Sequence, residues 1–299
     1  MARCSGFPRI HRVDRRLGQA RAIRGIGIAG DQGTDRCFRR SHGSYLVKAV
    51  ILAGGLGTRM REETEYRPKP MVEIGGKPIL WHIMRNLSLH GIKDFIIASG
   101  YKSEVINRYF HESTSWTSEK SEGPDSEIFS GSGDESGWRV TVAFTGDHTA
   151  TGGRVTRLRP LLSDEAFFVT YGDGLADVDV TRLVDMHRES NRLATLTAVQ
   201  PTSRFGLMDI DSDGRVTHFR EKPKMKDWVS IGYFVFEPAV LEYLVAEGGL
   251  EEEGLTRLAA DGQLSAYRHE GFWQPMDTYR EFKILEELWD SGAAPWKTW

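Results

Sequence analysis

The sequence predicts an α/β fold, a Rossmann-like and mostly parallel sheet with helices on both faces. Two observations carry this prediction. From residue 47 onwards, short apolar segments alternate with segments of helical period, and a glycine-rich loop directly follows the first apolar segment. Such alternation is typical of parallel strands joined by helical crossovers. A chain of 299 residues is long enough to bury a sizeable core.

The elements are predicted in order from these patterns. Strands are predicted at 47–53, 95–98, 140–144, 167–170, 193–199, 216–221 and 232–236, and helices at 79–90, 104–110, 180–188 and 278–289. The last three strands have shorter connections and are expected to continue the same sheet. One segment, 112–137, is rich in Ser, Glu, Gly and Asp, a composition that favours a mobile insertion over the alternative of a lid.

Residues 1–46 differ from the remainder of the chain. They contain ten Arg, no Lys, three acidic residues and both cysteines, and they show no periodicity. The sequence therefore predicts a disordered, Arg-rich N-terminal extension followed by a single domain over 47–299. We expect translation to begin at Val47, where the apolar strand begins. A basic arm that docks on an acidic partner and an organellar transit peptide are the alternatives.

Charge and cysteine content exclude several classes of function. The formal net charge is -3, and 47–299 alone holds 29 basic and 39 acidic residues, which argues against nucleic-acid binding. No apolar run approaches the roughly 18 residues of a membrane span, so no membrane partner is expected. The absence of cysteine after residue 46 excludes a disulfide framework there and fits a reducing cytoplasm.

The glycine-rich loop is the strongest local signal. Three glycines after a buried strand let the backbone approach a ligand and direct N–H groups towards it. Arg59 adds a planar charged group suited to phosphate, and Lys69 lies between two prolines that restrict its backbone. The sequence thus predicts a triphosphate site, with a tight strand-to-helix turn and solvated charges as the alternative. The candidate nucleotide-binding residues are Leu52, Gly54, Gly55, Gly57, Thr58, Arg59 and Lys69.

Ordered motifs extend this signal along the chain. They are Leu52-Ala53-Gly54-Gly55-Leu56-Gly57-Thr58-Arg59, Arg67-Pro68-Lys69-Pro70, Thr151-Gly152-Gly153-Arg154, Tyr171-Gly172-Asp173-Gly174, Arg204-Phe205-Gly206, Glu221-Lys222-Pro223 and Gln274-Pro275-Met276-Asp277-Thr278. Over nearly all of 47–299 the chain resembles the sugar nucleotidylyltransferases. It is most similar to the branch that transfers a cytidylyl group to glucose 1-phosphate.

The resemblance implies both an activity and its partners. Members of that branch join CTP to α-D-glucose 1-phosphate, release pyrophosphate, and supply CDP-glucose to the synthesis of surface polysaccharides such as O-antigen lipopolysaccharide. They use Mg²⁺ and often form homo-oligomers. Two alternatives stay open, namely the same chemistry with UTP or dTTP and a non-catalytic relative that senses nucleotide sugars.

The resemblance also assigns roles to residues. It implies that Asp173 and Asp277 bind Mg²⁺, where the residues alone would favour a turn carboxylate for Asp173 and a helix N-cap for Asp277. It adds Gly100, Thr151 and Gly152 to the nucleotide site, and Gly206, Glu221, Lys222 and Ser230 to the sugar-phosphate site. Arg59, Lys69, Asp173 and Lys222 are the candidate catalytic residues. Ser230 stands where such enzymes usually have Asn, so it puts the identity of the hexose in question.

Overall fold

The computed structural model describes residues 48–119, 125–162 and 164–299, so the predictions for 1–46 lie outside the described residues. The strands are β1 (Lys48–Ala53), β2 (Glu73–Ile74), β3 (Lys77–Pro78), β4 (Asp94–Ser99), β5 (Trp116–Glu119), β6 (Ser126–Gly131), β7 (Arg139–Phe144), β8 (Phe167–Tyr171), β9 (Gly174–Ala176), β10 (Ala194–Val199), β11 (Leu207–Ile210), β12 (Val216–Arg220), β13 (Val229–Phe236), β14 (Leu264–Arg268) and β15 (Trp273–Pro275). The α-helices are α1 (Arg61–Thr64), α2 (Ile79–Leu89), α3 (Ser103–Glu112), α4 (Thr151–Arg157), α5 (Arg159–Leu162), α6 (Val180–Ser190), α7 (Thr256–Ala260) and α8 (Tyr279–Asp290).

The main sheet confirms the predicted fold class. Within the described part of the chain it has nine strands in the order β14-β10-β13-β8-β1-β4-β7-β6-β5. Its centre, β8-β1-β4-β7, is parallel, whereas β13 runs antiparallel to both of its neighbours and the β5–β6 pair adds an antiparallel edge. The sheet is therefore mixed with a parallel centre.

Strand β1 shows how the sequence specifies this centre. Ala49, Ile51 and Ala53 belong to the apolar cluster on one face of the sheet, and Val50 and Leu52 belong to the cluster on the other. A strand that is buried on both faces reads as a continuous apolar run, as 47–53 does. The chain leaves β1 for β4 on one side, while β8 lies on the other. The loop after β1 thus lies at a switch point, where open α/β sheets bind ligands.

Three segments differ from the sequence-based expectations. The strand predicted at 216–221 does not continue the main sheet, because β12 pairs only with β11 in a separate hairpin whose residues are all exposed. The segment 112–137 holds β5 and β6 rather than irregular chain alone, because Trp116 and Phe129 pack in the core. Its mobility stays a prediction. Residues 151–153 begin helix α4, a helix that the sequence did not predict.

The C-terminal residues pack against helix α2. Trp296 is fully buried, and its carbonyl oxygen accepts a hydrogen bond of 3.2 Å from Asn86 Nδ2. His82 is fully buried beside it, and burial lowers the pKa of this histidine to about 4. Within the ranges that the structure describes, no helix is both long and apolar enough to cross a membrane.

Candidate active site

The loop after β1 leads into a short 3-10 helix, Thr58–Met60. Gly57 has a φ of 63°, a conformation that favours glycine. The Thr64 hydroxyl donates a hydrogen bond of 2.9 Å to the carbonyl oxygen of Gly57 and so ties the loop to helix α1. Gly55 and Thr58 are exposed, so their backbone groups are open to a ligand. The side chain of Arg59 lies outside the described residues, and its predicted role stays a prediction.

Arg154 is hydrogen-bonded to this loop, and the sequence predicted no role for it. The residue is buried, and its Nη2 donates a hydrogen bond of 2.8 Å to the carbonyl oxygen of Gly54. Its Nη1 lies within hydrogen-bond distance of the Ser99 carbonyl at 3.0 Å and of Thr145 Oγ1 at 2.7 Å. The guanidinium thus ties the ends of β1, β4 and β7 together. Burial lowers the pKa of Arg154, and the neighbouring Arg157 adds to this effect.

Two glycines make room for that guanidinium. A Cβ atom on Gly54 would lie 2.0 Å from Arg154 Nη1, and one on Gly100 would lie 2.5 Å from the same atom. Both positions therefore require glycine because a larger side chain would displace the charge. Gly100, a predicted nucleotide-binding residue, contacts the arginine rather than lining the cleft described below.

Lys69 lies between the two predicted metal ligands. Its Nζ is 3.0 Å from Asp173 Oδ2 and 2.8 Å from Asp277 Oδ1. Burial by itself lowers the pKa of Lys69, but the charges and hydrogen bonds of Asp173 and Asp277 outweigh it, so the pKa is raised overall. Two carboxylates distant in sequence therefore converge on one position that already holds a positive charge.

A small second sheet brings these carboxylates together. Strand β9 follows Asp173 and pairs antiparallel with β15, which precedes Asp277, so that Gly174 lies opposite Pro275. The N–H of Met276 donates a hydrogen bond of 2.7 Å to the carbonyl oxygen of Asp173. This pairing explains the proximity, which spacing along the sequence could not show.

Helix α8 begins directly after Asp277. Thr278 is its N-cap, and its hydroxyl accepts a hydrogen bond of 3.3 Å from the N–H of Glu281, whose carboxylate in turn accepts from the N–H of Thr278. This capping box means that Asp277 does not cap the helix, which was the alternative interpretation of that residue. The Asp277 carboxylate is instead directed at Lys69.

These elements enclose a cleft of about 460 Å³. It contains nine of the predicted site residues: Leu52, Gly54, Gly55, Gly57, Thr58, Lys69, Thr151, Asp173 and Asp277. Pro70, Thr149, Ala150, Arg154, Tyr171 and Gly172 complete much of the wall. The backbone of the glycine-rich loop, a buried cation and two carboxylates thus line one cleft.

Thr151 and Gly152 begin helix α4 beside this cleft. The Thr151 hydroxyl accepts a hydrogen bond of 2.9 Å from the N–H of Leu250. A Cβ atom on Gly152 would lie 2.7 Å from the carbonyl oxygen of Gly248, so this glycine packs against protein and does not line the cleft. Its contact with a base stays a prediction.

The predicted sugar-phosphate residues lie in a different place. Lys222 lines a second cavity of about 610 Å³ together with Arg204, Trp273, Gln274 and Thr278. Both cavities use the segment 274–278, since Asp277 lines the first and its neighbours line the second. The structure therefore places Lys222 next to the first cleft but not within it.

Glu221 and Gly206 come together in the stem of the β11–β12 hairpin, the two segments 201–206 and 221–225 that are joined by backbone hydrogen bonds. A Cβ atom on Gly206 would lie 3.1 Å from Glu221 Oε2. Lys222 has a φ of 43°, which is strained for a residue with a side chain, and its ammonium lies 3.9 Å from Glu221 Oε1. Strain of this kind is retained where the surrounding structure fixes a functional side chain.

Ser230 lies on β13 near the first cleft. It is exposed, and its hydroxyl accepts a hydrogen bond of 3.4 Å from the N–H of Gly232. Gly232 has a φ of 78°, and a Cβ atom there would lie 2.1 Å from Tyr171 Cδ2. The strand thus passes directly beneath a residue of the cleft wall, with Ser230 at its exposed end.

The carboxylate pair fits a hard divalent cation. Asp173 and Asp277 both lie within 3.0 Å of one ammonium nitrogen, so a cation at that position would contact both. Mg²⁺ takes one or two protein carboxylates and keeps several waters. Among the described residues, no group of three or more His, Cys, Asp or Glu side chains forms a metal site. The donor set therefore suits Mg²⁺ bound together with substrate oxygens.

Comparisons with known proteins agree with this geometry. Residues 48–274 match the family model described as nucleotidyl transferase. The chain is 49% identical over 257 residues to the glucose-1-phosphate cytidylyltransferase of Salmonella typhi, a match that covers 85% of this chain and 100% of that protein. It is 40% identical over 259 residues to the probable glucose-1-phosphate cytidylyltransferase of Bacillus subtilis, with the same coverage of 85% and 100%.

A solved structure shows the same fold at low identity. HddC from Yersinia pseudotuberculosis superposes with a TM-score of 0.62 at 21% identity, over 81% of this chain and 99% of that one.

Proposed function

This chain belongs to the nucleotidyl transferase family, in its glucose-1-phosphate cytidylyltransferase branch, and we propose that it transfers a cytidylyl group from CTP to α-D-glucose 1-phosphate. The products are CDP-glucose and pyrophosphate. The observation that carries the proposal is the convergence of the loop after β1, Lys69 and two carboxylates on one cleft. The 49% identity to a cytidylyltransferase over its whole length supports the choice of CTP.

The nucleotide half of the site binds the triphosphate. Exposed backbone at Gly55 and Thr58 offers N–H groups to phosphate oxygens, and Arg154 stabilises the loop through its hydrogen bond to the Gly54 carbonyl oxygen. Arg59 and Lys69 supply positive charge to the leaving pyrophosphate. The base lies towards the start of helix α4, where Thr151 lines the same cleft.

Asp173 and Asp277 would hold Mg²⁺. When bound, the ion offsets the charge of the triphosphate and supports an in-line geometry at the α-phosphorus. The carboxylates themselves are fixed by the β9–β15 pairing and by the start of helix α8, so the chain holds both oxygens before substrate arrives.

The sugar-phosphate half binds the nucleophile. Lys222 neutralises the phosphate of glucose 1-phosphate, while Glu221 and Ser230 accept hydrogen bonds from sugar hydroxyls. One phosphate oxygen then attacks the α-phosphorus of CTP, a new P–O bond forms, and the bond to the β-phosphate oxygen breaks. The attacking oxygen is already anionic, so no general base is needed, and positioning supplies much of the rate.

Pyrophosphate release from four triphosphates, each with glucose 1-phosphate and Mg²⁺, tests the proposal. We expect CTP to be turned over faster than UTP, dTTP or GTP at equal concentration. Faster turnover of UTP or dTTP would contradict the cytidylyl assignment. Absence of turnover with every triphosphate would contradict catalysis and favour a nucleotide-sugar sensor.

A homo-oligomer in the cytoplasm completes the proposal. The β11–β12 hairpin and its stem expose large apolar side chains, among them Phe219 on β12 at 60% and Phe205 in the stem at 75%. An isolated two-stranded hairpin is only marginally stable, and soluble monomers rarely expose such patches. Light scattering after size exclusion should give a mass above 33.7 kDa, the mass of one chain. A cytoplasmic location fits the absence of cysteine from 47–299.

A further inference from the structure

Glu281 is a buried carboxylate that contacts the backbone of a predicted metal ligand. Only 5% of the residue is exposed. Its Oε2 accepts hydrogen bonds of 2.9 Å from the N–H groups of both Asp277 and Thr278. A capping box needs only the second of these bonds, because Thr278 is the N-cap. The bond from Asp277 lies outside the helix and fixes the residue whose carboxylate contacts Lys69.

The other oxygen of the same carboxylate contacts the hairpin stem. Glu281 Oε1 accepts a hydrogen bond from Arg204 Nη2. Arg204 follows Ser203, whose N–H donates a hydrogen bond of 2.9 Å to the carbonyl oxygen of Pro223, the residue after Lys222. The side chains of Arg204 and Lys222 line the same cavity. One buried carboxylate is therefore bonded to both halves of the site.

We propose that Glu281 and Arg204 are positioning residues: Glu281 fixes Asp277 for the metal, and its pair with Arg204 aligns the stem that carries Lys222 with that metal ligand. The proposal rests on the proposed function, because it takes Asp277 as a metal ligand and Lys222 as a sugar-phosphate ligand. Neither Glu281 nor Arg204 needs to touch a reacting atom.

The exposure of Arg204 favours alignment over stability as the role of the pair. The Arg204 side chain is 68% exposed and that of Glu281 only 7%, so water can replace the arginine beside a carboxylate that keeps its two backbone bonds, and the pair should contribute little to stability. Small displacements of groups that hold a substrate, in contrast, can lower a rate by about 100-fold. Loss of the contact should therefore change the KM for the sugar phosphate more than the melting temperature.

Glu281→Ala tests the first half of the proposal. We expect the Kd of Mg·CTP, measured by calorimetry without sugar phosphate, to rise at least about five-fold. Asp179→Ala is the matched control, because Asp179 caps helix α6 through a 3.1 Å bond from the Arg182 N–H. It should lower the melting temperature similarly and leave that Kd unchanged. Glu281→Asp, with a carboxylate one methylene shorter, provides the same test if the alanine variant does not fold.

The outcomes separate this inference from the proposed function. Failure of the wild-type chain to bind Mg·CTP would contradict the proposed function. Tight binding by the wild-type chain and equally tight binding by Glu281→Ala or Glu281→Asp would overturn the inference alone.

Arg204→Ala and Glu281→Gln test the second half. An amide at position 281 still accepts from both N–H groups but loses the ion pair with Arg204. We expect each variant to raise the KM for glucose 1-phosphate about ten-fold, with the Kd of Mg·CTP near that of the wild type. The double variant should be no worse than either single variant. Arg159→Ala, which removes an exposed pair with Glu242, is the control and should change neither value.

A direct contact between Arg204 and the substrate would give a different pattern. In that case Glu281→Gln would leave the KM for glucose 1-phosphate unchanged while Arg204→Ala raised it, and the alignment role would be rejected.

Discussion

The carbonyl oxygen of Gly54 and the guanidinium of Arg154 are joined by a hydrogen bond of 2.8 Å, and no side chain fits at position 54 beside them. The bond connects the loop after β1 to a buried charge on helix α4. In the proposed function this bond would fix the loop, and with it the backbone N–H groups offered to the triphosphate, before substrate binds.

Gly54→Ala should therefore disrupt the nucleotide site. The new methyl group would lie 2.0 Å from Arg154 Nη1, so either the loop or the guanidinium must move. We expect the KM for CTP to rise about 100-fold, by analogy with other small misplacements of binding groups. Steady-state kinetics with varied CTP provide the measurement.

Gly249→Ala is the control for that substitution. The Glu252 Cβ atom would lie 3.8 Å from its methyl group, which is an ordinary van der Waals contact. It should leave the KM for CTP unchanged. A Gly54→Ala enzyme with the same KM as the wild type would show that the arginine does not constrain the loop.

The part of the site that follows one strand could be predicted from sequence. An apolar run followed by three glycines marks the loop after β1 in the sequence, and in the structure Gly54, Gly55 and Gly57 line the cleft. The part of the site that depends on pairing between distant segments of the chain could not be predicted from the residues. The β9–β15 pair brings Asp173 to Asp277, which lies 104 positions later in the sequence, and only a resemblance could link them.

Two further features had no local signal. Arg154 follows two glycines in a segment where the sequence predicted no helix, yet it lies on helix α4 with its charge buried among carbonyl groups. The strand at 216–220 has the composition of a sheet strand, but its partner is the neighbouring β11. Periodicity identifies a strand without identifying its partner, so the detached hairpin could not be foreseen.

Asp173→Asn and Asp277→Asn should each remove most of the activity while the fold is retained. Each substitution replaces one of the two negative charges around Lys69 with a neutral amide, so the affinity of the site for Mg²⁺ falls. We expect turnover to drop at least about 100-fold, because loss of a group that only supports a metal ligand already costs up to about 100-fold. Titration of turnover with Mg²⁺ and a thermal melt provide the two measurements.

Stability should change little in these two variants. Lys69 keeps one carboxylate partner in each case, so no buried charge is left unpaired. Wild-type turnover by either variant would show that its carboxylate is not a metal ligand. A large fall in melting temperature would point instead to a structural role for the ion pair.

Ser230→Asn should strengthen the binding of the sugar phosphate. Ser230 is exposed on β13, and its hydroxyl is bonded only weakly, at 3.4 Å, to the N–H of Gly232. A carboxamide reaches further and offers two donors and an acceptor. We expect the KM for glucose 1-phosphate to fall about ten-fold with little change in the KM for CTP. A rise in the sugar KM would mean that the pocket is shaped around serine.

His82 should make the stability of the protein depend on pH. Its Nε2 lies 2.8 Å from the carbonyl oxygen of Ile74, and the rings of Trp289 and Trp296 pack at 4.8 and 6.3 Å from it. Burial lowers its pKa from 6.5 to about 4, so the folded state keeps it neutral. Below pH 6.5 the unfolded chain binds a proton that the folded chain does not, and stability falls as the pH falls towards 4.

The expected loss follows from the size of that shift. At pH 5 it is about 2 kcal/mol relative to pH 7, since each unit of pKa difference corresponds to about 1.4 kcal/mol. Urea unfolding at both pH values, followed by tryptophan fluorescence, measures it in the wild type and in His82→Gln. Burial also lowers the pKa of His187, which therefore contributes in both proteins and cancels in the comparison. His82→Gln should lose about 2 kcal/mol less between pH 7 and pH 5. Equal losses in the two proteins would mean that His82 is protonated in the folded state, which would require the indole rings around it to open to water.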